Sequence, residues 1–171
     1  MLNALFSFQG RMNRAPYWGY SLLLFALIFL PLFAILFAAA LRLDGIPQAQ
    51  IEATLQRDFI WLILGFTALS LWPTLALMAK RLQDHGKPGK LAIALIAPGM
   101  VYNVAGLLAN AAGIIATDNP MLAVLGLLTV IVGLFNFVYL GCMRGTIGAN
   151  AYGEDPVEAK AEMMAGTAQG A

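Results

Sequence analysis

The sequence predicts an all-α integral membrane protein with four transmembrane helices and both termini in the cytoplasm. Three observations lead there. Hydrophobic residues make up 60% of the chain and charged ones only 11%, with a mean hydropathy of +0.76, whereas soluble domains carry about 25% charged residues. Four long apolar runs, residues 17–41, 59–79, 91–116 and 121–143, contain no Asp, Glu, Lys, Arg or His, and runs of about 20 apolar residues suit a bilayer crossing. With four spans, Arg11, Arg14, Lys80, Arg81, Lys87, Lys90, Arg144 and Lys160 share one side of the membrane, and only Arg42 and Arg57 lie on the other. The positive-inside rule makes the richer side cytoplasmic. Residues 1–156 are expected to form one membrane domain, and 157–171 a short cytoplasmic tail, partly disordered.

The N-terminal arm places Leu2, Leu5, Phe6 and Phe8 ahead of Arg11 and Arg14, a mixture suited to the bilayer interface. The apolar run that follows is longer than the roughly 7–15 residues of a signal-peptide core, so no cleavage is expected. Span one opens with Tyr17, Trp18 and Tyr20 as an aromatic belt, and Pro31 near its centre should kink it. Asp44-Gly45-Ile46-Pro47 reads as a turn. From Gln48, Ile51, Leu55 and Phe59 recur every four residues, which predicts a short amphipathic helix leading straight into span two. Ser70 and Thr74 share a face there, and backbone bonding beside Pro73 is a plainer reading than a transport path.

Thr117-Asp118-Asn119-Pro120 joins spans three and four as an antiparallel hairpin. Span three carries Gly99, Asn103, Gly106, Asn110 and Gly113 on one stripe, and span four answers with Gly126, Thr129, Gly133 and Asn136. Small residues allow close approach and amides bond across the gap, so the stripes are expected to face each other. A polar-lined conduit is the alternative. The lack of ionisable groups in the spans argues against an ion-coupled carrier, which needs a group to bind and release the coupling charge; a passive pore has no such requirement.

Between spans two and three lies a polar knot, Lys80 to Lys90. Arg81 and Asp84 are spaced i, i+3 and can pair on one helix face, Gly86 reads as a helix stop, and Lys87-Pro88-Gly89 as a turn. Either the pair locks a hairpin that its lysines anchor to lipid, or free N–H groups beside Lys87 and Lys90 cradle a phosphate. His85 is expected to be a solvated loop histidine, and Cys142 a buried or idle thiol rather than an acylation site. After span four, Asp155 reads as the N-cap of a short helix with Pro156 at its first position and Glu158 at its third, ending at Gly166. One cysteine and one histidine leave no disulfide, metal site or cofactor to expect, no catalytic pair is evident, and a net charge of +1 gives no pull toward nucleic acid.

Three ordered segments carry a resemblance: Phe8-Gln9-Gly10-Arg11-Met12-Asn13-Arg14 with Tyr17-Trp18, Arg81-Leu82-Gln83-Asp84-His85-Gly86-Lys87-Pro88-Gly89, and Gly145 through Pro156. From about Phe6 to Pro156 the chain resembles the bacterial inner-membrane family called domain of unknown function 805. The family's motif positions fall on Gly10, Arg11, Arg14, Tyr17, Trp18, Arg81, Leu82, Asp84, Gly86, Gly89, Gly148, Asn150, Tyr152, Gly153, Asp155 and Pro156. The resemblance implies a small multi-span inner-membrane protein with no assigned activity. The chain departs from it at Gln83, where histidine is common, and at Lys90-Leu91, where aromatics are; the first weakens any catalytic role for the loop and the second tilts it toward lipid.

The function expected is therefore non-enzymatic. A cytoplasmic cluster of Arg11, Arg14, Arg81, Asp84, Lys87, Lys90, Asn150, Tyr152 and Asp155 would contact anionic lipid headgroups, a membrane protein partner or a second copy. Within it, Arg11, Arg14 and Arg81 are candidates to bond Asp84 and Asp155. A small channel or exporter built on Asn103, Gly106, Asn110, Gly133 and Asn136 is the alternative.

Overall fold

A computed structural model gives the fold. It describes residues 5–42, 48–111 and 119–169, and for some of these, 48–63 and 110 among them, the backbone alone. The expected turn at Asp44–Pro47, residues 1–4, Gly113, and Thr117-Asp118 of the second hairpin lie outside the described residues. Five long helices follow one another among the described residues: α1 Arg14–Arg42, α2 Gln48–Asp84, α3 Leu91–Ala111, α4 Pro120–Asn136, which continues as a π-helical turn Phe137–Cys142, and α5 Pro156–Gln169. Among the described residues there is no strand, only an isolated bridge between Asn150 and Gly153.

Each helix end has a local cause. Lys87 N–H donates to the Leu82 carbonyl at 2.9 Å and Gly86 N–H to that of Gln83 at 3.0 Å, with Gly86 at φ +69°. This is a Schellman cap, which needs a residue in the left-handed region and so selects glycine. Asn119 caps α4, its side-chain oxygen accepting from Met121 N–H at 3.0 Å ahead of Pro120 at the first position. Asp155 does the same for α5 through Val157 N–H at 2.9 Å. That helix runs through Gly166 to Gln169 rather than ending at the glycine, because glycine inside a helix costs only about 1 kcal/mol and stops it only in a left-handed conformation. Gln48 to Asp84 is one continuous helix passing through Pro73.

The start of α1, the end of α2, the start of α3 and the end of α4 meet in one place, so the four helices alternate in direction. Packing is densest there: Met78, Ala79, Leu82, Ala92 and Leu140 form the buried cluster, with Phe8, Tyr17 and Leu95 against it. Away from it the large apolar side chains face outward, Leu22, Phe33, Val124 and Leu134 among them. Apolar exterior and charged interior is the reverse of a water-soluble fold. Three stretches, Arg14–Ile35, Leu91–Ala109 and Pro120–Cys142, are long and apolar enough to cross a membrane.

The α3–α4 stripes meet only in part. Gly99 faces the Thr129 methyl, Gly126 lies under the Tyr102 ring, and Asn136 donates to the Leu95 carbonyl at 3.3 Å across the gap. Asn103, however, donates to Gly99 of its own helix at 2.8 Å, and Gly106 and Gly133 face open space. The expected amide bond from Asn103 across the gap is not made, because a backbone carbonyl four residues back is nearer to hand. The Asn110 side chain lies outside the described residues.

Candidate functional site

At the junction of the four helix ends sits Arg81, with a fully buried side chain. Its Nε donates to the Leu140 carbonyl at 2.5 Å, one terminal nitrogen to the Met12 carbonyl at 3.3 Å and to Asp84 Oδ2, and the other to the Met143 carbonyl. The last carbonyls of a helix have no partner within it, and at the end of α4 they are met from outside. Leu140 and Met143 take Arg81, Gly141 takes the Trp18 indole N–H at 3.0 Å, and Cys142 takes Arg14 at 3.1 Å. The π-helical turn, in which Met143 N–H reaches back to Val138 at 3.1 Å, presents these carbonyls to the neighbouring helices. Two guanidinium charges thus face the negative end of the α4 dipole.

Asp84 is the counterion that makes this burial tolerable. Its Oδ2 takes Arg81 and its Oδ1 takes Arg11 Nε at 3.2 Å, with side-chain exposures of 4% for Asp84 and 1% for Arg11. Arg11 then reaches the segment after α4, donating to the carbonyls of Thr146 and Gly148 at 2.6 Å each and of Gly153 at 3.2 Å. Thr146 returns to the end of α2, its N–H and hydroxyl both donating to the Asp84 carbonyl at 2.8 and 2.9 Å. Asn150 donates to the Gln83 carbonyl at 3.0 Å and to Thr146 Oγ1 at 2.8 Å, and accepts from Tyr152 N–H at 2.8 Å. Gln83 in turn donates to Phe8 in the arm at 2.9 Å. Arm, central hairpin and tail are one hydrogen-bonded unit.

Asp155 stands apart from this ionic core. It accepts from Val157 N–H and, at 3.2 Å, from Gly148 N–H. The Val157 bond holds its carboxyl below the ordinary value, aided by the Gly148 bond and by the charges of Arg11 and Arg144, against the opposing effect of burial. Gly148 has φ +76° while its N–H meets Asp155 and its carbonyl meets Arg11, a conformation and double engagement that a side chain would strain.

The nine cluster residues expected from the sequence therefore divide. Arg11, Arg81, Asp84, Asn150 and Asp155 are committed to one another and to backbone. Arg14 is exposed and bonds the Cys142 carbonyl, neither aspartate; Lys87 and Lys90 are exposed; Tyr152 is half-buried and its N–H alone is engaged. The N–H groups of Gly86 and Lys87 are used by the α2 cap, so they cradle no phosphate. His85 is half-buried rather than free in solvent: its ring stacks on Tyr139 at 4.6 Å and its Nε2 is buried with no hydrogen bond. Burial, with the Arg81 charge, lowers its pKa. Cys142 is exposed.

Sequence reasoning left Gly141, Arg144, Gly145 and Thr146 out of the cluster. A Cβ on Gly145 would overlap the Asp84 carboxylate, and one on Gly141 would lie 2.6 Å from the Trp18 ring, so both are required by close approach. The glycines on either side of Arg144 were the available signal. Arg144 itself is exposed and, among the described residues, makes no hydrogen bond or ion pair. It lines an open cleft of about 760 Å³ together with Arg14, Trp18, Cys142, Asp155 and Val157. Among the described residues no group of three or more His, Cys, Asp or Glu is placed to hold a metal.

A family model described as a protein of unknown function (DUF805) matches residues 5–154. The uncharacterized protein YiiR of Escherichia coli K12 is 32% identical over 156 residues, 91% of this chain and 90% of that protein. The same figures hold for YiiR of Escherichia coli O157:H7. No solved structure matches.

Proposed function

The chain belongs to the DUF805 family of proteins of unknown function, and we propose its role from its own geometry: it is a non-enzymatic, multi-pass protein of the bacterial inner membrane that engages anionic phospholipid at its cytoplasmic face. One observation carries this reading. At the junction the buried acids are matched by the buried Arg11 and Arg81, and the charges left outside are mostly cationic. Asp84 and Asp155 are buried and fully engaged, while Arg14, Lys87, Lys90, Arg144 and Lys160 are exposed, against Glu154 and Glu158. Basic residues beside membrane helices draw anionic lipid, each worth about 1 kcal/mol near the surface.

In this reading α2 is the fourth span. Its 37 residues make a helix of about 55 Å, ample for a hydrocarbon core of about 30 Å, and residues 59–79 carry no charge. On this reading the arm, the central hairpin and the tail share one membrane face, and the excess of exposed cations there supports a cytoplasmic assignment.

Tryptophan fluorescence of the reconstituted protein tests the role. Trp18 lies at the junction, so brominated anionic phospholipid should quench it more than brominated zwitterionic phospholipid, and added salt should narrow the difference. Equal quenching by the two lipids at low salt would end the proposal.

A further inference from the structure

We propose that the cleft between Arg14 and Arg144 is a binding site for the phosphate of a single anionic phospholipid; this rests on the lipid-engaging role above and gives that role an address. The cleft lies where α1 begins and α4 ends, and it has about 760 Å³ of space. Two aspartates line it; the charge of Asp84 is balanced by Arg11 and Arg81, and that of Asp155, held by neutral donors, is offset by the nearby Arg11 and Arg144. Both oxygens of Asp84 are taken by guanidinium groups and both of Asp155 by backbone N–H groups. The cations are differently placed. Arg14 uses one terminal nitrogen on the Cys142 carbonyl, and Arg144 has all its donors uncommitted among the described residues. Arg144 is attached directly after the α4 turn, so its side chain and that of Arg14 border the same opening.

A guanidinium offers parallel donors that match phosphate oxygens, and two of them at one cleft favour a single anion over a diffuse layer. The remaining wall identifies what the phosphate is attached to. Ala15, Trp18, Cys142 and Val157 present apolar surface, and Trp18 packs edge-on against Phe137 at 5.2 Å. Below it α4 exposes Leu134, Phe137 and Val138, a continuous apolar track for acyl chains. A soluble phosphate would leave this wall in water. A phospholipid covers it.

Short-chain dioctanoyl phosphatidylglycerol, titrated onto delipidated full-length protein in neutral detergent, tests the site by Trp fluorescence and by native mass spectrometry. One lipid should bind saturably. Arg144→Gln, which removes no hydrogen bond or ion pair made among the described residues, should weaken it by about 10-fold, the worth of a lost charge-assisted hydrogen bond, while Lys87→Gln with Lys90→Gln, outside the cleft, should weaken it less. Arg14→Lys keeps the charge and tests the need for a planar fork; it should also weaken binding. Binding by Arg144→Gln equal to that of the parent, or loss in the lysine variant instead, overturns this site and leaves the general role standing. No binding of phosphatidylglycerol by the parent protein overturns both. Displacement by millimolar inorganic phosphate would show a free phosphate site and overturn the phospholipid assignment.

Discussion

Arg81 pairs with Asp84 one turn further along α2, and the same guanidinium caps the carbonyls of Leu140 and Met143 at the end of α4. One side chain thus joins two helices and, through Met12, the arm. Removing it leaves Asp84 buried with half its neutralisation and leaves the Leu140 and Met143 carbonyls without their external donor. Breaking a buried ion pair costs about 3–5 kcal/mol, so Arg81→Met should lower stability by an amount of that order. Arg81→Lys should cost about 1–3 kcal/mol, since an ammonium cannot serve carbonyls spread around a planar fork. Denaturant titration of the detergent-solubilised protein reads both, and Arg144→Met should move it by no more than about 0.5 kcal/mol.

Gly145→Ala should be among the most damaging single-methyl changes, because the new carbon would enter the Asp84 carboxylate. Overpacking a tight site costs about 1–3 kcal/mol. Gly133→Ala, which meets open space, should be neutral or slightly stabilising through helix propensity. Thermal melting of the two variants side by side checks the contrast.

Acid should weaken the fold in a stated window. The folded-state pKa of His85 lies below its ordinary 6.5, so above that value the group contributes in full, and the contribution is lost as pH falls from 6.5 through the folded value. Asp155, depressed below 3.8, adds a second loss that begins only near that pH. His85→Phe keeps a ring against Tyr139 and should flatten the melting temperature between about pH 7 and 5.5, leaving the lower limb in place.

The α3–α4 seam separates packing from conduit. Asn136→Leu removes a bond to the facing helix and should destabilise by about 0.6–2 kcal/mol. Asn103→Leu loses only a bond to its own turn and should change stability little. Reconstituted protein showing solute flux that depends on Asn103 would favour a pore.

Much of the scaffold was readable from residue identity. The apolar runs, the i, i+3 spacing of Arg81 and Asp84, the stop at Gly86 and the cap at Asp155 each follow from a local rule. Less readable was the junction itself, because most of its acceptors are backbone carbonyls, which every residue has. Arg14 was expected on an aspartate and instead meets the Cys142 carbonyl, exposed for it by a π-helical turn that no residue in Phe137–Cys142 announces. Gly141 and Gly145 matter for what approaches them from α1 and α2, partners far away in sequence. His85 was expected in water because it sits in a polar loop, yet Tyr139 on α4 covers it.

The account rests on a junction whose acids are satisfied internally and whose exposed cations meet anionic lipid. The most direct measurement is the lipid composition retained around the protein in native nanodiscs drawn from a mixed anionic and zwitterionic membrane, comparing the parent with the Lys87→Gln, Lys90→Gln, Arg144→Gln triple variant. The account predicts that the parent is enriched in anionic lipid and that the variant loses most of that enrichment while melting at the same temperature. Equal enrichment in the two proteins would contradict it.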